Sequence, residues 1–184
     1  ANKKADLNGL RNVDITYSSE YTRLSSEEVE SLYQFIKLTS GDVLELGRLY
    51  GGSTKIILQG LGKNQTLTSV DLYNKPLKAF SKHEEYLLDK LFILTGDSNT
   101  IKLSKKFETV FIDTNHSYQN LSLDLKNCWK HVDKYFLFHD YRKPTYEAEG
   151  VKKVVDFLIN SKKLKLISLT QTLIITEKNA KNLL

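Results

Sequence analysis

The sequence predicts an α/β domain: a doubly wound, mostly parallel seven-stranded sheet that closes with a C-terminal antiparallel β-hairpin. Three observations predict it. Short β-rich apolar runs alternate with helix-period segments from Gly41 onward, and strict alternation demands a parallel sheet with helices on both faces. The last two β-rich runs, 164–169 and 172–176, have almost nothing between them. Parallel neighbours need a crossover connection, so these two must turn back on each other. Finally, acidic, histidine and glycine residues recur just past the end of one run after another.

Residues 1–24 read as a polar leader and 25–184 as a single domain. Ser25 followed three residues later by Glu28 makes a capping box. Val29, Leu32, Tyr33 and Ile36 then repeat at helical spacing, giving an opening helix over one edge or face of the sheet. The run 42–46 is the first strand, stopping at Gly47, and 53–61 is a helix closed by Gly62. Thr66 opens a second strand that runs to Val70 and ends on Asp71. Pro76 suits an early helical position, with Leu77, Phe80, Leu87 and Leu88 supplying an apolar face. The runs 91–94 and 109–112 are the third and fourth strands, followed by Thr95-Gly96-Asp97 and by Asp113. Residues 118–132 read as a helix with Leu121, Leu125, Cys128, Trp129 and Val132 on one face. A fifth strand, 135–138, ends at His139-Asp140, and Val151, Val154, Val155 and Leu158 mark one more helix before the hairpin.

With 184 residues the chain can bury one sizeable core. Its single cysteine, Cys128, rules out an intramolecular disulfide and a cysteine-based zinc site, and fits a reducing, cytoplasmic setting. On an apolar helix face, Cys128 belongs to the core rather than to chemistry. No early apolar run marks a signal peptide, and no run approaches the length of a bilayer span. The net charge of +5 comes from lysines dispersed along the chain. That pattern describes solvated surface and argues against a nucleic-acid partner. Oligomeric state stays open, a homo-oligomer included.

In open α/β sheets ligands bind beyond the carboxyl ends of the strands, and this is where the reactive side chains fall: Glu45 and Gly47, Asp71, Asp97 and Ser98, Asp113, His139 and Asp140. The loop Glu45-Leu46-Gly47-Arg48-Leu49-Tyr50-Gly51-Gly52-Ser53-Thr54 is the sharpest feature. Its glycines let backbone turn tightly and approach a ligand, while Ser53 and Thr54 can cap the next helix and offer its N–H groups to a carboxylate. The alternative is a plain strand-to-helix turn. It matches neither a nicotinamide-enzyme glycine motif nor a phosphate loop. Asp71 is placed to accept hydrogen bonds from both hydroxyls of a ribose, or is a surface carboxylate. Asp97 and Ser98 can pair with an adenine amino group or serve as a helix N-cap.

These motifs together resemble the class I S-adenosylmethionine-dependent methyltransferases, whose fold is Rossmann-like. The nearest group holds the macrocin O-methyltransferase-like, cephalosporin-hydroxylase-like and catechol O-methyltransferase-like proteins. The resemblance runs from Gly41 to Thr176, through Glu-Leu-Gly-x-x-x-Gly-x-Ser-Thr at 45–54, Val-Asp at 70–71 and Phe-Ile-Asp-x-x-His-Ser-Tyr at 111–118. It continues with Phe-His-Asp-Tyr at 138–141 and Gly-Val-Lys-Lys-Val-Val-Asp-Phe at 150–157. It implies that Glu45, Gly47, Gly51, Gly52, Ser53 and Thr54 shape the methionine end of an S-adenosyl-L-methionine site. It also implies that Asp71 meets the ribose and that Asp97 and Ser98 lie near the adenine. Several members hold a divalent ion at the positions occupied here by Asp113, His139 and Asp140. An Mg²⁺ ion there would orient an acceptor hydroxyl and lower its pKa. His139 departs from the all-carboxylate set, since imidazole suits Mn²⁺, Fe²⁺ or Zn²⁺ better; it can instead be a general base or line the pocket.

His116, three residues after Asp113, can deprotonate an acceptor, since an imidazole takes a proton near working pH; it can equally cap the next helix or pack on Tyr118. Where relatives often carry glycine after the first acid, this chain has Thr114. His83 and His131 fall on helices away from the strand ends. The leading expectation is therefore O-methylation of a small-molecule hydroxyl, assisted by a metal. A repurposed, noncatalytic S-adenosylmethionine-binding domain is the alternative. No Asn/Asp-Pro-Pro-Tyr signature of base N-methylation is present. No obvious substrate lid follows the fifth strand, so the N-terminal segment, including Tyr17, Tyr21 and Tyr33, or a partner subunit would supply a cover.

Overall fold

A computed structural model describes residues 15–142 and 150–183. Its elements follow in the order α1 (Ser26–Leu38), β1 (Val43–Leu46), α2 (Gly52–Gly60), β2 (Leu67–Asp71), a 3-10 helix (Lys82–Lys90), β3 (Leu91–Thr95) and β4 (Phe107–Ile112). Then come α3 (Tyr118–Cys128), a 3-10 turn (Trp129–His131), β5 (Val132–Phe138), α4 (Gly150–Asn160), β6 (Leu164–Thr170) and β7 (Leu173–Lys178). The sheet has seven strands in the order β3-β2-β1-β4-β5-β7-β6. The first five are mutually parallel, while β7 runs antiparallel to both β5 and β6. The expected hairpin is present, and its second strand is the one inserted next to β5.

Side chains alternate across the sheet, and each face builds its own core. Leu44, Leu46, Val110, Ile112, Phe136 and Phe138 pack with α3 and α4. Val43, Phe111 and Leu137 point the other way, to α1 and α2. The capping box at the start of α1 forms as its sequence requires, with Ser25 and Glu28 bonding each other's backbone.

Two expectations need correction. The segment around Pro76 is not an α-helix: the chain runs as loop and bend to Ser81, and only Lys82–Lys90 coils, as a 3-10 helix. With Leu77 and Phe80 packed over Gly51, the loop serves the neighbouring turn rather than a helical face of its own. The helix expected over 118–132 ends at Cys128, and Val132 already begins β5. No helix among the described residues is long and apolar enough to cross a membrane.

Candidate active site

Backbone ladder bonds bring five strand ends to one level. Gly96 N–H donates to Asp71 O, Gly47 N–H to Val70 O, Asp113 N–H to Leu46 O, and His139 N–H to Ile112 O, at 2.9 to 3.2 Å. The switch in strand order lies between β1 and β4, so Gly47 and Asp113 face each other across the crevice that such a switch creates. Beyond this rim opens a cavity of about 390 Å³, within the roughly 300–1,000 Å³ of small-molecule sites. Of the residues singled out in the sequence, Gly47, Ser53, Asp71, Asp97, Ser98, Asp113 and His116 line it. Among the three tyrosines considered as a cover, only Tyr21 does, together with Thr22, Arg23 and Leu24. That stretch lies hard against the start of α2: a Cβ at Gly52 would sit 2.1 Å from the Tyr21 carbonyl oxygen.

Glu45 does not reach the cavity. It points from β1 into the apolar layer under α2, fully buried, and accepts hydrogen bonds from Ser53 Oγ (2.7 Å), Thr54 Oγ1 (2.7 Å) and Ser69 Oγ. Burial pushes its carboxyl pKa up, against the pull of those hydroxyls. The expectation that Ser53 and Thr54 cap the helix is therefore corrected. Gly51 is the N-cap, at φ 89°, and both hydroxyls are spent on Glu45. Gly47 (φ 94°) and Leu49 (φ 50°) are also left-handed, which coils the loop tightly above that carboxylate. Gly51, Gly52 and Thr54 shape this turn from behind rather than lining the cavity.

Asp71 Oδ2 accepts from the N–H groups of Arg48 (2.9 Å) and Leu49 (2.8 Å), and Oδ1 from Tyr73 (3.0 Å). Burial alone would raise its pKa, but these backbone donors hold it below the usual carboxylate range. A carboxylate offers about four lone-pair sites, so a ligand finds room for one strong donor at Asp71, not two. Asp97 Oδ1 accepts from Asn99 N–H at 2.9 Å, a local turn that leaves the carboxylate on the cavity wall.

At the β4 and β5 ends, Asp113, His139 and Asp140 offer three ligand atoms within 4.8 Å of one another. His139 Nδ1 lies 3.3 Å from Asp113 Oδ1 and 3.4 Å from Asp140 Oδ2. Burial would lower the imidazole pKa, but the two carboxylates outweigh it and lift the value to about 10. Asp140, at φ 60°, is held low chiefly by His139, and its Oδ2 also lies 3.1 Å from His116 Nε2. His116 thus sits in the cavity wall with an orienting carboxylate behind it. Two carboxylates and an imidazole are a donor set that fits a divalent ion of borderline softness.

Two buried acids beside the cavity have contacts that their local sequence does not announce. Glu28, read only as half of a capping box, is buried with Oε2 3.5 Å from His139 Nε2. Asp124 is a fully buried acid on α3 that accepts from Asn99 Nδ2 (2.7 Å), Thr114 Oγ1 (2.5 Å) and Asn120 Nδ2 (3.2 Å), tying the β3 and β4 loops to one helix. Burial raises its pKa despite those donors. Its signal was an acid within the apolar stripe of Leu121, Leu125 and Cys128. His131 bonds the Lys105 carbonyl, clear of the cavity.

The fold recurs among solved structures. An O-methyltransferase from Bacillus cereus in complex with SAH superposes with a TM-score of 0.67 at 14% identity, covering 88% of this chain and 85% of that one. TomG, an O-methyltransferase from Streptomyces achromogenes in complex with SAM, gives 0.61 at 14% identity over 85% and 82%. MycE, a methyltransferase of the mycinamycin pathway in complex with Mg and SAH, gives 0.61 at 14% identity, over 84% of this chain but 49% of its own length. No curated protein matches in sequence. Residues 44–141 do match a family model described as a methyltransferase domain, and with more than half its length so matched, on this sheet, the chain belongs to that family of class I S-adenosylmethionine-dependent methyltransferases.

Proposed function

We propose that the protein transfers a methyl group from S-adenosyl-L-methionine to a hydroxyl of a small molecule, with a divalent ion bound by Asp113, His139 and Asp140. One observation carries this reading. Asp113 belongs both to the cavity wall and to the three-ligand corner, so a donor and an ion-bound acceptor would meet across a single side chain. The neighbours bound to SAM, SAH or Mg support the same reading by likeness of fold.

The donor brings an activated methyl on a sulfonium, and a divalent ion supplies Lewis acidity toward the acceptor oxygen. The residues do the rest. Gly47 and the turn through Ser53 form the wall at the methionine end, Asp71 takes a ribose hydroxyl, and Asp97 and Ser98 flank the adenine. Asp140 orients His116 to take the acceptor's proton, which contributes roughly 10²–10⁴-fold where such a base acts. Alignment of oxygen, methyl carbon and sulfur supplies much of the remaining acceleration.

Calorimetry with S-adenosylmethionine, with and without Mg²⁺ or Mn²⁺, tests the donor and ion together. Asp71→Ala is expected to weaken donor binding about 10-fold, the worth of one charge-assisted hydrogen bond, with the fold retained by circular dichroism. Asp113→Ala and Asp140→Ala are expected to cut metal-dependent transfer to a responsive catechol, sugar or polyketide acceptor by about 10²-fold. Transfer and metal dependence unchanged in both would remove the ion from the proposal.

A further inference from the structure

The two nitrogens of His139 face different partners. Nδ1 looks toward Asp113 and Asp140 at 3.3 and 3.4 Å, while Nε2 looks the other way, to Glu28 Oε2 at 3.5 Å. Glu28 comes from α1, an element with no strand-end residue, and is 3% exposed. The cap of its own helix and one other element fix its carboxylate in place. Oε2 accepts from Ser25 N–H at 2.9 Å, and Oε1 accepts from Thr172 N–H (2.8 Å) and Oγ1 (2.7 Å) in the β6–β7 turn. A capping glutamate needs only the first of these contacts. The other two hold the carboxylate against the imidazole.

We propose that Glu28 is a positioning residue for an ion-binding imidazole: it keeps the proton on Nε2 of His139, so that an arriving ion displaces the Nδ1 proton and takes that lone pair in the corner where Asp113 and Asp140 converge. This rests on the ion reading above. In a neutral imidazole one nitrogen donates and the other accepts, and the partner of the first decides which is which. Metal-ligating histidines usually make that second bond, often to a carboxylate, and it raises ligand basicity. Charge completes the argument. Two carboxylates and an imidazole carry one negative charge fewer than three carboxylates, and Glu28 restores it at one ring's remove. The centre built this way favours Mn²⁺, Co²⁺ or Zn²⁺ over Mg²⁺, because nitrogen enters the donor set while the charge of an oxygen site is kept.

Titration calorimetry with Co²⁺ on the full chain tests this. Glu28→Gln is expected to bind Co²⁺ about 10–100-fold more weakly than wild type, the usual loss on removing such a partner. Ser25→Ala breaks the same capping box without touching His139, and is expected to lower thermal stability while keeping wild-type Co²⁺ affinity. An independent reading uses wild type alone: with Zn²⁺ bound, ¹⁵N shifts should show Nδ1 of His139 metallated and Nε2 protonated. Equal Co²⁺ affinity in wild type and Glu28→Gln, or metal on Nε2, overturns the role of Glu28 and leaves the ion site standing. Failure of wild type itself to take up Co²⁺ or Zn²⁺, with S-adenosylmethionine still binding, removes the ion site and this role with it.

Discussion

Replacing Gly47 with alanine is expected to cost about 4 kcal/mol of stability and to abolish donor binding. Two effects add. At φ 94° an L side chain is strained, by roughly 1–2 kcal/mol. The new Cβ would also lie 2.1 Å from the Asp113 carbonyl oxygen and 2.7 Å from its carbon. That is backbone on a neighbouring strand end, which cannot rotate away, and overpacking of this kind costs about 1–3 kcal/mol. Relief is available only by spreading β1 from β4, which opens the crevice where the cavity meets the corner of Asp113, His139 and Asp140. Thermal unfolding should show a drop of about 10 °C, and calorimetry should show no heat with S-adenosylmethionine. Gly62→Ala is the control. Its methyl meets only the tip of the Gln65 side chain, at 3.1 Å, and the loss should stay below about 1 kcal/mol.

Glu84→Gln is expected to lose about 3 kcal/mol at neutral pH, with the deficit disappearing in acid. Glu84 Oε1 lies 2.7 Å from Lys55 Nζ, on a lysine whose side chain is 7% exposed. Thr16 Oγ1 donates to the same oxygen at 2.6 Å, and Ser81 N–H and Oγ to the other at 3.0 and 2.9 Å. Desolvation would raise the carboxyl pKa, yet Lys55, Thr16 and Ser81 prevail and bring it from 4.5 to about 2. A folded value below the unfolded one means the contribution is complete above the unfolded pKa and is lost as pH falls toward the folded one. Each unit is worth about 1.4 kcal/mol, hence the size of the effect. Urea titrations at several pH values should show wild type and variant converging between pH 4.5 and 2. A constant gap across that window would mean the pair does not titrate as described. A larger loss at pH 7, up to about 5 kcal/mol, would mark the Lys55 ammonium as stranded.

How much of this was legible in the sequence depends on the range of each interaction. The strand ends were legible, because a β-rich run and the acid or glycine that stops it are adjacent in the chain. Gly47, Asp71, Asp97 and Asp113 therefore reach the cavity as expected. The roles of Ser53 and Thr54 were not. Helix caps are the local option for those residue types, whereas their actual acceptor, Glu45, hides on an apolar face where only the strand's alternation could betray it. Glu28 shows the same limit. Its spacing from Ser25 announces a cap, but nothing local announces Thr172 or His139. Around Pro76 the local signals favour a helix start, but packing of Leu77 and Phe80 over Gly51 prevails. Arg48 sits fully buried, giving hydrogen bonds to the carbonyls of Ser69 and Tyr73; a charged residue inside a glycine turn is the only trace it leaves in the sequence.

Cys128 carries a practical consequence. The lone sulfur of the chain is fully buried at the C-terminal end of α3, and burial raises its pKa well above the ordinary range, so at neutral pH it presents almost no thiolate to an alkylating reagent. Wild-type protein is in effect chemically blank toward maleimides. A cysteine introduced in place of Tyr21 would then be the sole labelling point, and a fluorophore there would ride on the cavity wall itself.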